Sequence, residues 1–176
     1  MGDVSNDGER RGGGRRRKVA RTQRKTRATG RGNLKGRGQI AEMEFMLAAA
    51  KKGFGVGKPF GDNERYDCVV DAGGHLWRVQ VKLSTAKHHR GFAVRASWRN
   101  SHRGMPYTRA QIDFMVVFLV RWSIWYVIPV RALRGRLTIH LYPFGTRKGG
   151  KGFLMEKYRE AWQLLGKPWA HIGSTF

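Results

Sequence analysis

Residues 66–84 read YDCVVDAGGHLWRVQVKLS, and their pattern decides the fold. Two runs rich in β-branched and aromatic side chains, 66–71 and 75–84, flank Ala72-Gly73-Gly74, an arrangement that predicts a β-hairpin. The second run alternates. Trp77, Val79, Val81 and Leu83 point one way, whereas Arg78, Gln80, Lys82 and Ser84 point the other. The hairpin folds Asp67 towards Gln80 and Lys82, which stand two residues apart and therefore share a face. A carboxylate, an amide oxygen and an ammonium are expected to converge.

Upstream, residues 39–52 hold Ile40, Ala41, Met43, Phe45, Met46, Leu47 and three alanines. They predict a helix, apolar around most of its circumference and so largely buried, ended by Gly53. Glu42 and Glu44 lie within it about 160° apart around the axis, so they cannot share a face. Residues 54–58 predict a short strand and 59–65 a turn. Downstream, residues 93–98, 113–120, 122–130 and 137–142 predict further strands, and 156–165 a closing helix stopped by Gly166. Helix, strand block, helix is the pattern of one α/β (α+β) domain, expected over residues 38–170.

Metal-assisted phosphodiester cleavage needs a set of groups like the one on the hairpin. Asp67, the Gln80 side-chain oxygen and the Val81 carbonyl are hard oxygen ligands suited to Mg²⁺. Water on such an ion becomes more acidic, and Lys82 is placed to orient it or to stabilise charge growing on a phosphate. Glu42 supplies a second carboxylate if its helix packs beside the hairpin. The same spacing also fits an ordinary solvated strand face, and Asp62, Glu64 and Asp71 are alternative acids. His88 and His89 read as surface residues of a basic loop, and Asp113 as a strand-start cap. Trp122, Trp125 and Tyr126 read as packing. Residues 145–151, GTRKGGK, lack the spacing of a nucleotide phosphate loop, which excludes ATP binding there.

The charge balance names the kind of partner. Thirty-five Lys and Arg against 12 Asp and Glu give a formal +23, a self-repulsion that a polyanion relieves. Thirteen of those cations fall in residues 1–37, beside three acids and almost no large apolar side chains, which predicts a disordered basic arm along phosphates. Arg78, Lys87, Arg90, Arg95, Arg99 and Arg103 are the candidate phosphate contacts within the domain. Cys68 is the sole cysteine, which excludes an intramolecular disulfide and a cysteine-based zinc site. The longest apolar run, 114–120, stops at Arg121, and no apolar secretory stretch opens the chain. A soluble, cytoplasmic protein without a membrane partner is expected.

Three motifs carry a resemblance: the helix start GQIAE (38–42), the turn into a strand PFGDNERYD (59–67), and the strand RVQVK (78–82). With QIDFMVVF, WYVIPV and YREAWQLL downstream, residues 38–166 resemble the PD-(D/E)XK endonuclease family, which includes a cyanobacterial group I intron homing endonuclease. The resemblance implies a restriction-endonuclease-like core, a mixed β-sheet flanked by helices. It also implies a Mg²⁺- or Mn²⁺-dependent endonuclease acting on double-stranded DNA, of homing or junction-resolving type, the former compatible with a homo-oligomer. By position, Glu42 matches the helix glutamate, Asp67 the metal-binding aspartate and Lys82 the catalytic lysine. Gln80 stands where most of the wider superfamily has Glu or Asp, which removes one negative charge from the metal site. A catalytically inactive nucleic-acid-binding module with the same fold and a basic RNA-binding protein are the alternatives, and both would bind without metal-dependent cutting.

Overall fold

The computed structural model describes residues 34–61, 63–85, 91–100, 103–145 and 151–169. The basic arm as far as residue 33, Asp62, Lys87, His88, His89, Arg90 and most of GTRKGGK lie outside the described residues. The helix α1 spans Leu34–Lys51, starting earlier than the sequence suggested and taking in the last residues assigned to the arm. Its end is as expected: Gly53 adopts φ +84° while its N–H and that of Phe54 close onto Ala50 and Ala49 carbonyls. The expectation of a largely buried helix fails. Ala41, Phe45 and Ala49 are buried, but Ile40, Met43 and Leu47 are each more than half exposed. Among the described residues, one stripe of α1 meets the sheet and Trp162, and the opposite stripe is exposed.

After β1 (Gly55–Gly57), the strands β2 (Cys68–Ala72) and β3 (His75–Ser84) form the expected hairpin. Gly73 and Gly74 both take positive φ, at 64° and 93°, the geometry that a two-residue turn demands of its central pair. β7 (Phe114–Leu119) runs parallel to β3, and β8 (Ile124–Pro129) runs antiparallel to β7. The result is a mixed five-stranded sheet in the order β1-β2-β3-β7-β8. Every residue of β7 and β8 is buried, since both faces are covered and both strands read as unbroken apolar runs. On one face, Phe114, Val116, Phe118, Trp125 and Val127 pack with Phe45 and Ala49 of α1. On the other, Met115, Val117, Tyr126 and Ile128 pack with Phe92, Ile139 and Leu141 of a two-stranded ribbon.

That ribbon pairs β4 (Phe92–Arg95) with β9 (Thr138–Leu141), and a second hairpin pairs β5 (Ser97–Asn100) with β6 (Arg103–Pro106). The single strand expected over 93–98 is therefore two, divided at the fully buried Ala96 and assigned to different partners. The short helix α2, Val130–Leu133, follows β8. The closing helix expected over 156–165 is likewise two 3-10 segments, Lys151–Tyr158 and Trp162–Leu165. Glu160 interrupts them with φ 49°. Its N–H donates to the Trp125 carbonyl at 2.8 Å and its carboxylate accepts from Trp125 N–H at 2.7 Å. Tertiary pairing with the edge strand β8 outweighs helical periodicity here, and it occupies backbone groups an edge would otherwise leave open.

Candidate active site

Asp67 precedes β2, yet its N–H already donates to the Val79 carbonyl at 2.8 Å, extending the ladder by one residue. With Cys68 paired to Val79, this register sets Asp67 opposite Gln80. The Asp67 Oδ2 accepts from the Val81 N–H at 2.7 Å and from the Gln80 side-chain amide. Gln80 Nε2 also reaches the Val81 carbonyl at 3.3 Å, and Gln80 Oε1 accepts from the Tyr107 hydroxyl at 3.0 Å. Lys82 Nζ lies 5.5 Å from the centre of the Tyr107 ring. On the polar face of β3, Gln80 and Ser84 are buried at 7% and 6% exposure, and Arg78 and Lys82 are half-buried.

Glu42, Asp67, Gln80, Val81 and Lys82 all line one open cleft of about 410 Å³, so α1 does bring its carboxylate to the hairpin. Glu44 lies on a different part of α1, along a depression with Arg37, Ile40 and Phe118. Glu42 Oε2 accepts from Lys58 Nζ at 2.9 Å, and Glu64 also borders the cleft. Asp71 accepts from Gly74 N–H at the hairpin turn, a local structural role.

Burial raises the Asp67 carboxyl to about 6, against the opposing pull of the Val81 N–H and the Lys82 ammonium, with Glu42 adding to the rise. Burial also lowers Lys82, although Asp67 and Glu42 favour its charge, and nearby Arg95 adds to the lowering. Tyr107 is pushed up by burial and by Asp67, so it stays a neutral phenol. Glu42, Asp67 and Val81 line the cleft with oxygen groups of the kind a hard cation such as Mg²⁺ or Mn²⁺ takes, whereas Gln80 turns its amide nitrogen to Asp67 and its oxygen to Tyr107. No group of three or more His, Cys, Asp and Glu suited to a metal occurs among the described residues.

Arg78, expected among the phosphate contacts, is engaged elsewhere. Its Nε and Nη2 donate to Asp113 at 3.0 and 3.1 Å, and further bonds reach the Ala110 and Arg109 carbonyls. Asp113 also accepts from the Arg78 N–H, at 2.9 Å. The pair braces the start of β7 against β3. Arg95, Arg99 and Arg103 are exposed on the ribbon and the second hairpin. Sequence reasoning missed Tyr107 and Lys58. Tyr107 lies 27 residues from Gln80 along the chain, and no short-range spacing signals their contact.

The sequence profile of the PD-(D/E)XK endonucleases matches residues 32–164, most of the chain. The chain belongs to the PD-(D/E)XK endonuclease family. Among solved structures, the bacterial homing endonuclease I-Ssp6803I is similar at 33% identity and a TM-score of 0.67, over 76% of this chain and 93% of its own. The Holliday junction resolvase Hjc of Archaeoglobus fulgidus is 16% identical with a TM-score of 0.41, over 62% of this chain and 90% of its own. No curated protein sequence matches the chain. The sheet and its flanking helices are those of a restriction-endonuclease-like PD-(D/E)XK core. No helix among the described residues is long and apolar enough to cross a membrane.

Proposed function

We propose that this PD-(D/E)XK protein is a divalent-metal-dependent endonuclease that hydrolyses phosphodiester bonds in double-stranded DNA. The observation that carries it is the convergence of Glu42, Asp67, Gln80 and Lys82 on one open cleft of a chain with formal charge +23. Asp67, Gln80, the Val81 carbonyl and Glu42 would hold Mg²⁺ or Mn²⁺, which would supply an acidified water and Lewis-acid stabilisation. Lys82, held beside Asp67 in a half-buried setting, stabilises negative charge on the phosphate more strongly than an exposed ammonium would. Arg95, Arg99 and Arg103, with Lys87, Arg90 and the basic arm of residues 1–37, are assigned to the phosphate backbone. The likeness to I-Ssp6803I favours homing-type cleavage, in which a long site would be spanned by more than one copy.

One observation favours a binding module instead: both carboxylates already have partners, Glu42 in Lys58 and Asp67 in Val81 and Gln80. Cleavage of plasmid and branched DNA in Mg²⁺, Mn²⁺ or EDTA decides between the two. The nuclease reading expects metal-dependent cutting that Asp67→Ala and Lys82→Ala abolish while DNA binding survives. Binding to every substrate without cutting in any metal is the outcome the module reading expects.

A further inference from the structure

Gln80 poses a problem that a carboxylate at this position would not. An amide has two unlike ends, and only its oxygen can serve a hard cation. In this structure the end facing Asp67 is the nitrogen, and the oxygen faces Tyr107. The amide must turn over for its oxygen to join Asp67 at a metal, and the buried nitrogen would then face Tyr107. An orphaned N–H in a site only 7% exposed is costly. The group it meets is a neutral phenol on a side chain itself 5% exposed. A phenolic oxygen both donates and accepts, whereas most buried groups do only one.

We propose that Tyr107 is the positioning residue for Gln80: its hydroxyl donates to the amide oxygen when the amide nitrogen lies on Asp67, and accepts from that nitrogen when the amide oxygen turns to a divalent cation. This rests on the metal-dependent reading of the cleft and adds a residue to it. The two orientations do not depend equally on the hydroxyl. With nitrogen towards Asp67, the amide N–H groups have Asp67 and the Val81 carbonyl as partners, so losing the hydroxyl orphans only a carbonyl oxygen. With oxygen towards the cation, the hydroxyl is the partner placed to receive the amide N–H. Removing it therefore penalises the cation-bearing orientation more. Phenylalanine is the fitting probe, because the ring beneath the Lys82 ammonium is kept.

The test is Mn²⁺ uptake by the full chain without DNA, followed by titration calorimetry and by the free-Mn²⁺ paramagnetic signal. It compares the wild type, Tyr107→Phe, Gln80→Glu and the double variant, with thermal unfolding recorded for each. Tyr107→Phe is expected to weaken Mn²⁺ binding roughly five- to tenfold, the scale of one buried hydrogen bond. In the Gln80→Glu background, where a carboxylate donates nothing and has like ends, the same change should alter affinity less than twofold. A purely structural role for Tyr107 predicts equal losses in both backgrounds, and that result overturns the proposal. Undiminished uptake by Tyr107→Phe overturns it too, while leaving the metal reading intact. No uptake by the wild type would remove both.

Discussion

Arg78 and Lys82 are cations on one face of β3, two residues to either side of Gln80, and the fold treats them oppositely. Arg78 is gripped by Asp113 and by two main-chain carbonyls, and its hydrogen bonds to Asp113 raise its pKa further. Lys82 lies against the Tyr107 ring at the cleft, where burial lowers its pKa despite two neighbouring carboxylates. Asp113 shows the complement: hydrogen bonds from Arg78 hold its carboxyl low, whereas the Asp67 carboxyl rises to about 6. One end of the strand is a closed ion pair that fastens β7 to β3. The other holds the Lys82 ammonium against a ring with Asp67 and Glu42 close by, a setting that suits an incoming cation and phosphate.

The contrast can be broken most sharply at Lys82. Lys82→Ala should lower the metal-dependent cleavage rate by roughly 10²- to 10³-fold, as measured on a DNA substrate, with the unfolding midpoint little changed. Arg78→Ala should do the reverse. A loss of ~2 kcal/mol in denaturant unfolding is expected, since several charged hydrogen bonds vanish from a partly exposed brace, and DNA affinity should hardly move. Equal effects of the two substitutions on stability would erase the distinction.

Asp67 sharpens the comparison through pH. A carboxyl raised in the folded state favours folding below its unfolded pKa near 4, and that contribution is lost as pH rises through about 6. Without metal, Asp67→Asn should therefore gain about 1–2 kcal/mol of stability at pH 8 and nothing at pH 4, as read from urea melts. Asp113→Asn should behave oppositely, losing stability at neutral pH. Mn²⁺ uptake by the wild type should weaken as pH falls below 6, because protons and metal compete for Asp67. The smallest effects are expected at the surface. Arg99→Ala and Arg103→Ala should each reduce DNA affinity a few-fold and the salt-dependence slope by about 1. Glu44→Gln should leave Mn²⁺ binding unchanged where Glu42→Gln weakens it.

Much of the site was legible because the hairpin is local. Two glycines mark the turn, period-two alternation assigns the faces, and the count from Asp67 to Gln80 then sets the pair in register. Glu42 could be offered only as a conditional partner, since nothing in α1 says against which layer it packs. Arg78 looked like Lys82 because both are cations on one strand face, and the acid that distinguishes them arrives from 35 residues away. The closing helix was misjudged for a similar reason. Tyr158, Ala161, Trp162 and Leu165 do recur at helical spacing, but the edge of β8 recruits Glu160 and breaks the helix.

The amino-acid sequence by itself determined the β2–β3 hairpin, the buried central strands, the formal charge of +23, and the meeting of Asp67 with Gln80. These follow from local periodicity, turn chemistry and net charge, which need no knowledge of distant contacts. Only the tertiary structure decided that Glu42 rather than Glu44 reaches the cleft, that Asp113 closes around Arg78, and that Tyr107 stands over Gln80. Each of those depends on the angle and register at which separate layers pack, a property of the whole chain that no short window encodes.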